Sequence, residues 1–130
     1  MKFSTNVRYA IRILTKLHNA KGRLPMGTLA ELTGCSLRTI EKIHSVLREN
    51  GITSGVIGAK GGIELLIPLS ELTLGAIAKL FDDEVDLAVC FGDKSNDCPN
   101  VLICHRHKKW LKFSEKIQQE LDTVPLTNFV

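Results

Sequence analysis

Three of the four cysteines and two of the four histidines fall in one stretch, from Cys90 to His107. The order is Cys90, seven residues, Cys98, five residues, Cys104, two residues, His107. Gly92, Asp93, Lys94, Ser95, Asn96, Asp97, Pro99 and Asn100 fill the gaps, and these turn-forming types cannot make a core strand. Thiolates spread along such a loop, with one imidazole, suit metal chemistry. Structural zinc commonly uses paired Cys-x2-Cys knuckles, which are absent here. An iron–sulfur cluster accepts the wider spacing, and histidine can replace cysteine on one iron. If a helix begins at Cys104, then Cys104 and His107 share one of its faces, and a helix N-terminus favours a thiolate. His105 would point about 100° round that helix from Cys104 and is the weaker ligand. On residue types alone an iron–sulfur cluster, zinc and no metal all stay open. Cys35 stands apart and reads as a small buried core residue. His18 and His44 read as surface or core-edge histidines.

A second set of residues could read nucleic acid. Arg38, Glu41, Lys42 and Ser45 recur at i, i+3, i+4 and i+7, opposite the apolar Leu37, Ile40, Ile43 and Leu47. Arginine and lysine contact guanine edges or phosphates, and glutamate can accept from cytosine. Lys60, in a glycine-rich run, is a candidate for a phosphate or the minor groove. Arg8 and Arg12, four apart, are further phosphate candidates. The balance of charge agrees. Residues 1–67 hold ten Lys and Arg against four Asp and Glu, whereas residues 68–130 hold seven against ten. A basic N-terminal half suits a polyanion.

The elements that must position these groups follow from periodicity. Val7, Ala10, Ile11, Leu14 and Leu17 predict a first helix over about 6–20, with Ser4, Thr5 and Asn6 to cap it. Pro25 to Thr33 reads as a short second helix with Leu29, Ala30 and Leu32 inward. "TGCS" breaks the chain, and Ser36 can cap a third helix to about Asn50. Two helices across a glycine-containing turn make a helix-turn-helix. Residues 53–67, with Gly58, Gly61 and Gly62 between apolar arms, predict a β-hairpin. Together these predict a winged helix: mainly α with a small β-hairpin wing. "LTLGAIAKLF" adds a short fourth helix, and Cys104 to about Asp122 a long last one with Trp110, Leu111, Phe113, Ile117 and Leu121 apolar. The core is already supplied by the first three helices and the hairpin, so that last stripe asks for another surface: a second subunit first, with packing against its own domain as the alternative.

The division expected is a DNA-binding winged helix over 1–82, a cysteine-rich loop over 83–103, and a dimerisation helix with its tail over 104–130. At 130 residues the chain can build one real core. "MKFSTNVRYA" turns polar before a signal-peptide apolar region could form, and no apolar run reaches the ~18 residues of a spanning helix. A cytoplasmic protein without a membrane is therefore expected. No nucleophile–base pair, phosphate-binding loop or paired acids point to an enzyme.

"VRYAIRIL", "LAELTGCSLRTIEKIHSVLRENGI", "GVIGAKGGIELLIP" and the late cysteine cluster resemble the Rrf-two family of bacterial winged helix-turn-helix regulators, most of all its IscR-like iron–sulfur members. The resemblance covers nearly the whole chain. It implies a homodimeric repressor or activator that binds a pseudo-palindromic operator in double-stranded DNA. Ser36, Arg38, Thr39 and Glu41 fall where the family places DNA-contacting residues. It also implies a 2Fe-2S cluster on Cys90, Cys98, Cys104 and His107. Members with a 4Fe-4S cluster use an acidic residue near position 8 of the partner chain, where this chain has Arg8. Two departures stand out: Ile57 occupies a place where the family's wing often has arginine, and the first cysteine gap is two residues longer than usual. The alternatives are a family member without a cluster that senses through protein partners, and a small metal or cluster carrier.

Overall fold

A computed structural model describes residues 2–58, 60–83, 85 and 103–130. α1 spans Thr5–Ala20, and Ser4 Oγ accepts from the Val7 amide at 3.4 Å to cap it. Its buried stripe is Val7, Ala10, Ile13, Leu14 and Leu17. Ile13 thus takes the inward place expected of Ile11, which is only half-buried. α2 covers Met26–Thr33 and ends at Gly34, whose φ of 71° is a left-handed turn that glycine adopts without strain. Leu29 is fully buried there, but Leu32 is about half exposed, contrary to the inward stripe expected. The helix is only eight residues long, so its buried face is narrow.

α3, Leu37–Glu49, begins at Ser36, whose hydroxyl accepts from the Thr39 amide at 3.2 Å. Ile40, Ile43 and Leu47 are completely buried, and His44 nearly so. Leu37, expected on that stripe, is exposed at the helix start. The hairpin pairs β1, Thr53–Val56, antiparallel with β2, Gly62–Leu65, in the register Thr53↔Leu65 to Val56↔Gly62. Ile63 also bridges to Leu24, with N–H···O distances of 2.9 and 2.8 Å. Gly62, at φ 140°, makes that approach possible, because a Cβ there would collide with the Leu24 carbonyl.

α4 covers Leu74–Leu80 and α5 covers His105–Thr123. They pack together where Gly75 meets Asp122 and Gln118. Asp122 accepts from Gln118 at 3.0 Å and from Lys79 at 3.1 Å, and these bonds hold its carboxyl below the usual carboxylate range. After α5 the chain returns to the winged-helix core: Leu126 is completely buried, and its amide donates to the Leu72 carbonyl at 2.8 Å. Mainly helical, with a two-stranded hairpin and a long C-terminal helix, the fold is the winged helix-turn-helix expected. Among the described residues no helix is long and apolar enough to cross a membrane.

Because Leu29 is buried and Leu32 is not, Leu29→Ala should cost about 2–5 kcal/mol of unfolding free energy. Leu32→Ala should change it by less than about 0.5 kcal/mol. Urea titrations of the two variants check this directly.

Candidate nucleic-acid interface and thiolate site

Burying Ile40, Ile43 and Leu47 turns the other side of α3 outward. Arg38, Glu41 and Lys42 are exposed on it and Ser45 is half-buried, so the structure brings these four onto one surface. Ser36 and Thr39 join them at the helix start, but their hydroxyls are engaged with each other at 2.9 Å. The Ser36 hydroxyl is therefore first a helix cap. Lys60 is exposed beside the hairpin tip, where Ile57 is fully exposed.

Arg12 does not project as a free phosphate contact. Its Nη1 donates to the Thr33 carbonyl at 2.8 Å, closing the end of α2, and its guanidinium lies 5.5 Å from the centre of the Tyr9 ring. Arg8 stays exposed, and its guanidinium donates to Thr5 Oγ1 at 3.3 Å. Cys35 is buried in the core, as its isolation in the sequence indicated.

His44, one of the histidines read as surface or core-edge, lies at the core edge and is nearly buried. Its Nδ1 lies 3.0 Å from Thr53 Oγ1, a buried hydrogen bond that ties α3 to β1. Burial, and then the nearby positive charge of Arg48, lower its pKa from the ordinary 6.5. The available signal was spacing, since position 44 stands four residues after Ile40 and three before Leu47.

At the other end of the fold, Cys104 stands at the N-cap of α5 and makes no side-chain capping bond. The His107 amide donates to the Cys104 carbonyl at 3.2 Å, so the two side chains rise from the first turn of one helix. Cys104 is half-buried, and His107 Nδ1 is buried. A soft thiolate next to an imidazole fits iron or zinc better than a hard cation. Cys90 and Cys98 lie outside the described residues. Among the described residues no three His, Cys, Asp or Glu side chains gather as a metal site. His105 is exposed on the first turn.

A family model for Rrf2, described as an iron-dependent transcriptional regulator, matches residues 3–130. The chain belongs to the Rrf2 family. The HTH-type transcriptional regulator IscR of Serratia proteamaculans is 32% identical over 132 aligned residues, spanning 100% of this chain and 79% of that protein. Among solved structures, IscR of T. potens superposes with a TM-score of 0.71 at 23% identity, covering 99% of this chain and 85% of that one. CymR, the global cysteine regulator of B. subtilis, superposes with a TM-score of 0.74 at 21% identity, covering 99% and 95%. These superpositions establish the shared fold. As an Rrf2 member the chain is a transcriptional regulator and not an enzyme.

The lowered pKa of His44 has a defined effect on stability. The unfolded chain takes up the proton near pH 6.5, whereas the folded chain resists it. The stability this residue contributes is therefore fully present above that pH and is lost as the pH falls below it, until the folded form is protonated as well. Denaturant titrations from pH 7.5 to 5 should show the wild type losing more stability than His44→Gln. Equal losses would mean that the ring titrates normally.

Proposed function

We propose that this Rrf2 protein is a cytoplasmic, homodimeric regulator that binds a pseudo-palindromic site in duplex DNA, with an affinity controlled by a 2Fe-2S cluster. The observation that carries the DNA-binding part is the exposed face of α3, where Arg38, Glu41 and Lys42 stand clear of the core on a basic half of the chain. In a helix-turn-helix such a face enters the major groove. Arg38 and Lys42 would donate to base edges or phosphates, Glu41 would accept from cytosine, and Ser45 and Thr39 would add shorter contacts. Ser36 presents its backbone at the helix start while its hydroxyl caps. Lys60 would reach the backbone or minor groove from the hairpin.

Dimerisation is supported by α5. Trp110, at 44% exposure, and Phe113, at 55%, form an uncovered aromatic patch beside the exposed Leu111. Along this helix the charges separate: Arg106, Lys108, Lys109 and Lys112 precede Phe113, whereas Glu115, Glu120 and Asp122 follow it, with Lys116 among them. Two copies paired antiparallel about Phe113 would bring Arg106 of each opposite Glu120 of the other. A two-fold arrangement of this kind spaces two reading helices for half-sites about one or more helical turns apart.

For the sensing site, Cys90, Cys98, Cys104 and His107 are the proposed ligands. When bound, a 2Fe-2S cluster supplies a centre that responds to oxidation state, to iron supply or to nitric oxide. The remaining task belongs to the chain, which must fix the segment before α5 relative to the winged helix. Cys104 and His107 are suited to it, because they anchor that segment to the first turn of α5.

Protein purified without oxygen should contain iron and sulfide and show a visible charge-transfer spectrum. Alanine at Cys90, Cys98 or Cys104 should abolish or severely weaken the cluster, His107→Ala should leave a labile one, and His105→Ala should do much less. Absence of iron and sulfide after reconstitution would replace this reading with a cluster-free regulator.

Arg38→Ala should cost about 1–3 kcal/mol on a preferred duplex and relax base preference at one position. Competition binding against single-base variants of that duplex measures both effects. Light scattering at micromolar protein should give twice the monomer mass, and a monomer there would remove the two-fold model.

A further inference from the structure

The flank of α3 that faces the hairpin carries an open cleft that none of these roles uses. Its volume is about 440 Å³, and it runs between Met26, the end of α3 and the backbone of the glycine-rich hairpin. His44 and Arg48 are the ionisable groups on its wall, and no Asp or Glu among the described residues lines it. Arg48 is exposed, and its guanidinium makes no hydrogen bond or ion pair with the described residues. The His44 ring is held by Thr53 through Nδ1, which leaves Nε2 against Gly55. A Cβ at position 55 would lie 2.8 Å from that nitrogen, so glycine is what admits the ring edge to the cleft. Gly58, Gly61 and Gly62 thin the opposite wall, which Val56, Ile57 and Ile63 complete.

We infer that this cleft seats a phosphodiester of the DNA backbone, gripped by Arg48 and by the Nε2 edge of His44. The inference rests on the DNA-binding reading above. Arg48 follows Glu41 by seven residues, two turns further along the same line of α3, which amounts to about 10.5 Å. The major groove is about 12 Å wide. A helix whose first half meets base edges therefore brings its last turn to the sugar–phosphate strand at the groove edge. A planar guanidinium grips phosphate with two parallel bonds, and the glycines in the hairpin wall permit close approach of a polyanion to the backbone there. A seated phosphate would also offset the charge of Arg48 beside His44, so docking should favour the protonated imidazole.

The test uses the full-length protein and a duplex of random sequence, titrated over a series of KCl concentrations. Arg48→Ala should weaken binding alike on all sequences and flatten the slope of log K against log salt by about 0.9 for each phosphate no longer neutralised. Arg48→Lys, which keeps the charge but not the fork, should restore the slope and only part of the affinity. Wild-type affinity should rise between pH 7.5 and 6, and the rise should be smaller in His44→Gln. Melting curves of the exposed Arg48 variants should match the wild type, separating this role from support of the C-terminal end of α3. If the wild type and Arg48→Ala bind with the same affinity and slope while Arg38→Ala is weakened, the cleft is no phosphate seat and the DNA-binding reading stands. If the wild type binds no duplex at all, both fall together.

Discussion

Ile40, Ile43 and Leu47 occupy one side of α3 and are completely buried against the core that also holds Leu14, Leu17 and Leu29. Each such side chain contributes about 1.5–3 kcal/mol relative to an exposed one, so α3 cannot rotate without giving up most of its packing energy. That constraint settles which residues of the helix meet solvent. The buried hydrogen bond between His44 and Thr53 then fastens the hairpin to the same helix, and the Leu24–Ile63 bridge fastens it on its other strand. Recognition helix and wing are thus held as one surface.

Among the described residues the C-terminal part meets the winged-helix core through the later turns of α5 and the tail. Asp122 fits against Gly75, and Leu126 enters the core beside α1. The opposite end of α5 carries Cys104 and His107, the aromatic patch and the basic charges. Under the proposed reading, ligation at Cys104 and His107 would act on a helix rooted in the winged-helix core. If that helix also pairs with a second copy, the spacing of two reading helices becomes sensitive to the ligation of Cys104 and His107. A ligand shifts such an equilibrium only by its unequal affinity for the two arrangements.

Much of this is legible in the sequence, for identifiable reasons. Helical periodicity marks α1, α3 and α5 within a residue or two, because each has a long apolar stripe. Clustered glycines mark the hairpin. Stripe edges are harder to read: Leu32 and Leu37 fit the periodicity, yet they stand in the last turn of α2 and at the first position of α3 and stay exposed. His44 can be read as surface or core-edge, but its bond to a threonine nine residues later has no local signal. The return of Leu126 to the core has no local signal, because it depends on contacts across more than a hundred residues. At the candidate interface the outward set Arg38, Glu41 and Lys42 follows directly from the stripe, but Arg12 looks free until the Thr33 carbonyl is placed beside it. For the thiolate site, spacing can propose the ligands but not their arrangement.

Control of DNA affinity by ligation at Cys104 and His107 is the central claim. Its most direct test is the affinity of cluster-loaded and cluster-free protein for one duplex selected from a random pool, measured without oxygen at one salt concentration. Coupling between the two sites predicts affinities that differ by about 5–150-fold, together with an equal reciprocal effect of that duplex on retention of the cluster. Equal affinities of the loaded and cluster-free forms, at matched dimer concentration, would contradict it.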